Sequence, residues 1–247
     1  MGTAKQRAIL VSGGILALGL AVVFGLLLRS LAREREARHH NNLGVAFLGF
    51  GYGGVPHSKE AIQEFEAALG ISPGHDLARL NLGIALFHSR DEGRALQTVL
   101  DVLYQNPESH HANYVAGLIN LERKEPGAAR EHLERVVKGD PEHAHAWYYL
   151  GQCLVKEGAM EEGIQALRKA VAKAPYYDDF RMELQKVLLK AGRKDESEVE
   201  ERVIQAHWPK IEEKTARFLK GLDFTFIHMS YGGAYRFFRR PMTASPS

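Results

Sequence analysis

A 34-residue interval recurs through most of this chain and constrains its fold more than any other feature. A proline, a glycine, a small residue and two apolar residues each return at that interval, and all five columns share one phase. These positions are Pro73, Pro107, Pro141 and Pro175; Gly83, Gly117 and Gly151; Ala95, Ala129 and Gly163; Val99, Leu133 and Leu167; and Val102, Val136 and Ala170. This period is typical of a helix-turn-helix unit that is repeated along the chain.

Each column has a physical role where the two helices of one unit meet. A glycine in the first helix lets the second helix approach closely, which outweighs its helix cost of about 1 kcal/mol. The small and apolar columns fill the contact, and the proline ends the second helix. Because one helix pair cannot bury its own apolar face, several pairs must stack.

The fourth unit carries the fullest form of the pattern. Its residues are Trp147, Leu150, Gly151, Gly163, Leu167, Ala170 and Pro175. On these residues the chain resembles the tetratricopeptide-repeat family. The resemblance implies an all-α fold, a right-handed solenoid of helix-turn-helix repeats. It implies protein binding as the function, and it names no partner because such repeats serve many.

An apolar segment of 21 residues without a charge, Ala8 to Leu28, precedes the repeats. As a helix it would measure about 31 Å, enough to cross the hydrocarbon core of a bilayer. A cleaved signal peptide is an alternative, but the run exceeds a normal h-region and no small-x-small site follows it. A buried core helix suits a repeat protein poorly. We therefore predict a single transmembrane helix that anchors the chain in a membrane.

The charges beside this segment bear on the side of the membrane on which the body lies. Lys5 and Arg7 precede it, and four arginines follow within ten residues. Taken as a count, this slightly favours a cytoplasmic body. A short basic head, however, commonly stays inside while a large domain is translocated. The counts are close, and between the two we favour an extracytoplasmic (periplasmic) body.

These features divide the chain into a basic head at 1–7, the transmembrane helix at 8–28, a juxtamembrane linker at 29–36, a solenoid at 37–207 and a C-terminal helix and tail at 208–247. The solenoid is predicted to hold four repeats and a degenerate, more polar capping pair, as expected where a stack of repeats ends. Their approximate bounds are 37–73, 76–107, 110–141, 144–175 and 176–207.

The first repeat departs from the strict period. The sequence Asn42-Leu43-Gly44 matches Asn81-Leu82-Gly83, which predicts a first helix at about Arg35 to Leu48. Its later columns then arrive five residues late, because residues 49–56 are rich in glycine. A strictly periodic alternative would use Gly49 as the column glycine. We favour a lengthened turn, since glycines are costly inside a helix.

The end of the chain changes character. We predict helices from Tyr176 to Ala191 and from Asp195 to His207, the second closed by Pro209, and a short helix from Lys210 to Lys220. An aromatic and basic tail follows, in which residues 231–235 could form a hairpin turn between two strands. Docking on a partner or at a bilayer interface is one interpretation; packing on the last helices, or disorder, is the other. The predicted docking residues are Phe226, Tyr231, Tyr235, Arg236, Phe237, Phe238 and Arg239.

The resemblance also implies a binding surface. In the family, the second, fifth, ninth and twelfth residues of each first helix line a concave groove. Here these positions hold no lysine or arginine, so the groove is predicted to be apolar and to bind a partner helix or a hydrophobic extended segment. They are Leu77, Leu80, Ile84 and Phe87; His111, Tyr114, Leu118 and Leu121; and His145, Tyr148, Gln152 and Val155.

Other functions find little support. A net charge of +2 gives no global attraction to nucleic acid. The histidine pairs, such as His110-His111, are adjacent rather than four apart, so they read as capping or solvated residues and not as metal ligands. Cys153 reads as a packed residue. No catalytic or cofactor motif is present, and no enzyme activity, cofactor or small-molecule substrate is predicted.

We therefore predict a membrane-anchored scaffold or assembly factor that binds a protein partner near the membrane. The alternative is a permanent accessory subunit of a large membrane complex, in which other chains bury the anchor and the tail.

Overall fold

The structure is a computed structural model of the 247-residue chain. It describes residues 2–49, 57–219, 224–227 and 236–239, and it describes side chains for 19–49 and 57–207. Contacts divide the chain into two compact units, Met1–Lys124 and Glu125–Ser247.

The first unit consists of helices in its described part. They are α1 (Gly2–Gly49), α2 (Ser58–Ile71), α3 (Asp76–His88), α4 (Glu92–Gln105) and α5 (His110–Glu122). Each helix packs on the next, and α3 also contacts α1 and α5. The core between them is built around Phe65, Leu86, Val99 and Ile119, all fully buried or nearly so.

The second unit continues the pattern. It contains α6 (Pro126–Gly139), α7 (Ala144–Lys156), α8 (Met160–Lys173), α9 (Asp178–Lys190) and α10 (Lys194–Leu219), followed by β1 (Phe224–Ile227) and β2 (Arg236–Arg239). Successive helices from α6 to α10 pack on one another. Leu167, Leu184 and Leu188 are buried in the core of this unit. The predicted solenoid of stacked helix pairs is thus confirmed within each unit.

The glycine column makes the predicted close approach. A Cβ atom built on Gly83 would lie 2.6 Å from Cγ2 of Val99, and one built on Gly151 would lie 2.7 Å from Cγ of Leu167. At Gly44 the nearest atom would be Cε1 of Phe65, at 2.5 Å, whereas Gly49 meets nothing within 4 Å. Gly44 is therefore the column glycine of the first repeat, as the lengthened turn requires.

The turns inside the repeats share a backbone feature that the sequence did not reveal. Arg90 (φ 67°), Lys124 (φ 62°), Gly158 (φ 88°) and Gly192 (φ 75°) all adopt the left-handed conformation. They follow one another at the repeat interval, so each first helix from α3 to α9 is followed by the same αL residue. Two of the four carry a side chain, which is unfavourable in that conformation.

The first helix of repeat one is the end of α1, which runs unbroken through the predicted linker at residues 29–36. Helix α10 extends through Pro209 to Leu219, so the prediction that Pro209 closes it, with a separate short helix after it, was wrong. A proline removes a single i→i−4 hydrogen bond, and it can kink a helix without ending it.

The predicted membrane span lies within α1, whose side chains before residue 19 are not described. Among the residues that the structure describes, no helix combines the length and the apolar character that a bilayer crossing requires. The structure therefore does not support the predicted span.

The predicted hairpin pairing in the tail is present. Strands β1 and β2 are antiparallel, with Phe226 opposite Phe237 and Ile227 opposite Arg236. The turn residues, including Tyr231 and Tyr235, lie outside the described residues, as do residues 50–56 of the lengthened turn in repeat one.

Candidate partner-binding surfaces

The first unit brings together the predicted groove positions of α3 and α5, which we call the α3–α5 surface. Hydrogen bonds from local side chains fix where these two helices begin. His75 Nδ1 accepts from the backbone of Ala78 at 3.2 Å, and Ser109 Oγ accepts from that of Ala112 at 3.4 Å. These caps satisfy backbone donors that the first turn leaves unpaired.

The four α3 positions differ in their exposure. Leu80 is buried, with 8% of its surface exposed, and belongs to the core. Ile84 and Phe87 are half-buried and pack against that core. Leu77 is 57% exposed, the highest exposure among the four.

The α5 positions continue the same character. Tyr114, Leu118 and Leu121 are half-buried, and His111 is exposed. None of the eight α3 and α5 positions holds a lysine, arginine, aspartate or glutamate. The arrangement offers apolar and aromatic contact area, which a partner segment could cover.

In the second unit, the predicted positions on α7 pack against their neighbours. The ring of Tyr148 stacks on that of Phe180, with centroids 4.7 Å apart, and His145 meets the same ring edge-on at 5.1 Å. Val155 fills the contact with α8, where a Cβ built on Gly163 would lie 2.5 Å from its Cγ2 atom. Gln152 is half-buried.

Burial shifts the pKa values of three side chains of α7. Burial raises the pKa of the Tyr148 hydroxyl above its ordinary value, and Glu183 and Asp179 add to this effect. Burial also lowers the pKa of His145, with a smaller contribution from His143. The thiol of Cys153 is buried and its pKa is raised to about 12, so this residue is packed and unreactive.

Sequence reasoning missed Phe180, the centre of this aromatic cluster. It follows Ala78, Ala112 and Ala146 at the repeat interval, and all three alanines are fully buried. A phenylalanine in an alanine column was therefore a visible signal. It is 2% exposed and contacts Tyr148, His145 and Tyr177.

A cavity of about 410 Å³ lies between α8, α9 and α10. Its floor includes Leu184 and Leu188, and two ion pairs lie on its lining: Arg168 with Glu196, and Arg181 with Glu200. In the second pair the closest atoms are 2.7 Å apart and both side chains are largely buried. Because both ion pairs join α10 to a neighbouring helix, α8 or α9, this cavity is better explained by the packing of α10 than as a ligand site.

In the described residues, no three histidine, cysteine, aspartate or glutamate side chains are grouped so as to hold a metal ion. His143 caps α7 instead, its Nδ1 atom accepting from the backbone of Ala146 at 3.2 Å.

Comparisons with known proteins agree with this architecture. Two models of tetratricopeptide repeats match residues 58–118 and 114–178. A comparison with curated proteins found no sequence match.

Solved structures of MamA proteins share the fold. One described as a "MamA RS-1 ArsTM double mutant" is 22% identical, with a TM-score of 0.65 over 72% of this chain and 97% of its own. Another, "MamA 41-end from Desulfovibrio magneticus RS-1", is 23% identical, with a TM-score of 0.64 over 71% and 96%. At these identities the likeness concerns the fold alone.

The repeat interval, the glycine contacts and the two adjoining matches agree with one another. This chain belongs to the tetratricopeptide-repeat family.

Proposed function

We propose that this chain is a protein-binding scaffold or assembly factor, not an enzyme, and that the α3–α5 surface holds an apolar segment of a protein partner. The observation that carries this proposal is the exposed Leu77 beside half-buried apolar and aromatic side chains. Covering Leu77 would stabilise a complex by roughly 1–2 kcal/mol at about 25 cal/mol per Å².

The chemistry of the surface defines the kind of partner segment. An amphipathic helix or a hydrophobic extended segment presents apolar side chains at regular spacing and would match it. Since the surface lacks fixed charges, its affinity should depend little on salt. Aromatic residues such as Tyr114 are favoured at the centre of interfaces of this type.

A substitution of Leu77 tests the proposal. The partner is captured by chemical crosslinking and recovered with this chain from solubilised membranes. Leu77→Asp should reduce this recovery by about tenfold or more, because a carboxylate would be buried against apolar groups. The matched control is Leu100→Asp in α4, another exposed leucine at 37% exposure outside this surface. Equal recovery with both variants would reject the assignment.

The groove positions of α7 remain part of the proposal. Gln152 is the better probe there, because Tyr148 and His145 also hold Phe180 in place. Substituting Tyr148 would disturb folding and binding together. A photo-crosslinker at Gln152 that captures no partner would reject partner binding at α7.

We also propose that α1 tethers the chain to a membrane, on the extracytoplasmic (periplasmic) side. The supporting observation is that eight large apolar residues of α1 are between 51% and 63% exposed. They are Leu20, Val22, Val23, Phe24, Leu26, Leu27, Leu28 and Leu31. A protein released from membranes by alkaline carbonate would contradict the tether. Labelling of a cysteine introduced at the exposed Lys194 in intact cells would test the side.

The same exposed residues favour a second candidate, a permanent accessory subunit whose α1 and tail are covered by other chains. The tail docking residues, from Phe226 to Arg239, belong to this proposal. Stoichiometric copurification in detergent, lost when residues 224–239 are deleted, would support the subunit. Purification of the intact chain alone would support the scaffold.

A further inference from the structure

The outward face of α9 carries a stripe that the repeat pattern explains and whose apolar residues, Met182 and Leu189, stay exposed within the described part of the chain. Met182, Lys186 and Leu189 follow Tyr148, Gln152 and Val155 at the repeat interval. They are therefore the groove positions of the capping pair. We call them, with Glu183 and Lys190, the α9 stripe.

The exposure of the stripe contrasts with that of α7. The α7 residues are half-buried, and Tyr148 among them stacks on Phe180 of α9. On α9, Met182 is 40% and Leu189 53% exposed, and the Lys186 side chain is 76% exposed. Two large apolar residues thus remain in solvent at i and i+7, on one face of the helix.

The charges on this side of α9 are segregated along its length, whereas Arg181 pairs with Glu200 of α10. Asp179 and Glu183 lie in the first half, and Lys186 and Lys190 lie in the second. Within one chain, Lys186 Nζ is 3.4 Å from Glu183 Oε2, an exposed i,i+3 pair that contributes little to stability. Lys186 and Lys190 are exposed, and the Glu183 side chain is 22% exposed.

This distribution is complementary to itself when reversed. If two α9 helices pack antiparallel about a two-fold axis between Leu184 and Gln185, Glu183 of each copy is level with Lys186 of the other. Asp179 is then level with Lys190. Met182 and Leu189 of the two copies differ in level by about 3 Å, at 1.5 Å per residue, which their side chains can span.

We propose that the α9 stripe is a homodimer interface, with a second copy of this chain as its occupant. An interface of the isologous type requires the same patch to be self-complementary, which the stripe is. A single helix pair buries less than the roughly 1,600 Å² of a standard interface, so the dimer is weak, with a Kd on the order of 10–100 µM.

A charge-swap series measured by sedimentation velocity on the full chain in detergent tests this interface. Lys186→Glu places like charges opposite each other and should raise the dimer Kd by about tenfold or more; Glu183→Lys should do the same. The double variant restores opposite charges across the axis and should recover the dimer. Rescue of this kind would not follow from a loss of folding.

The control is Lys194→Glu in α10, whose side chain is 78% exposed, nearly the same as that of Lys186. It should leave the dimer unchanged. A chain that remains monomeric throughout the accessible concentrations overturns the proposal, as does a dimer insensitive to Lys186→Glu or a double variant without rescue. Crosslinks from Leu189 that reach only another protein would also overturn it. Partner capture by Leu77 should persist in the monomeric Lys186→Glu variant, which separates this interface from the proposed function.

Discussion

Tyr148 of α7 and Phe180 of α9 stack with their ring planes inclined by 22°. This contact joins the last full repeat to the capping pair. Tyr177 also stacks on Phe180, with the ring centroids 5.2 Å apart. The aromatic cluster therefore holds α9 on α7 in the second unit.

Phe180→Ala should destabilise the chain by about 3–5 kcal/mol, because it leaves a cavity where the ring was fully enclosed. In a double-mutant cycle, Phe180→Leu and Tyr148→Leu should show a coupling of about 0.5–1.5 kcal/mol. Urea unfolding gives both values. Tyr176→Leu, at a residue that is 86% exposed, should be close to neutral. Purely additive effects of the two leucine variants would contradict the stacking.

The column glycine Gly151 should not tolerate a methyl group. Gly151→Ala would place Cβ 2.7 Å from Leu167 Cγ and 3.1 Å from the carbonyl oxygen of Gly163, and the backbone atom cannot move aside. We expect a loss of about 1–3 kcal/mol. Gly70→Ala is the control, since nothing lies within 4 Å of the added atom. It should instead stabilise α2 by about 0.5–1 kcal/mol. Thermal unfolding distinguishes the two signs.

Lys124 is a site where glycine should be better than the native residue. Its φ of 62° is strained for a side chain, and Gly158 serves the same turn in the next repeat. Lys124→Gly should stabilise the chain by about 0.5–1 kcal/mol. This is the relieved αL strain minus the conformational entropy that glycine loses on folding. The reverse change, Gly158→Lys, should cost a similar amount. Loss of stability in Lys124→Gly would show that the turn is not strained.

His145 should make the second unit sensitive to acid. Its pKa is lowered in the folded chain, so the unfolded chain binds the proton more readily. The stabilising contribution of neutral His145 is complete above the pKa of about 6.5 that it has in the unfolded chain. This contribution is lost as the pH falls through its lower pKa in the folded chain. His145→Asn should flatten the decline of unfolding free energy with falling pH. His88 and His132 are shifted in the same direction, so an unchanged slope would assign the effect to them.

Much of the fold was visible in the sequence because each column reports one packing contact. Gly44 could be chosen over Gly49 from the match with Asn81-Leu82-Gly83, and the contact with Phe65 confirms it. The αL turn could not be read in this way, since Arg90 and Lys124 occupy it in two repeats and hide the glycine signal.

The candidate site was less predictable. Periodicity assigns positions to a helix face, but it does not say whether the next helix covers them. Leu80 and Leu77 were equivalent in the pattern, yet one is in the core and the other is exposed. The course of α10 through Pro209 could likewise not be predicted, because a proline inside a helical segment can either end the helix or only kink it.

Helix α1 has one more consequence for how the first unit is oriented. It is continuous from Gly2 to Gly49, and Arg33 Nη2 donates to the carbonyl oxygen of Ile71 at 2.8 Å, bracing it against the end of α2. Because α1 is one continuous helix, the direction of its apolar end about the helix axis fixes the direction of the α3–α5 surface. Adding a single residue between Arg29 and Arg33 would turn that surface by about 100° and move it by about 1.5 Å. Whatever holds the apolar end therefore also sets the direction in which Leu77 points.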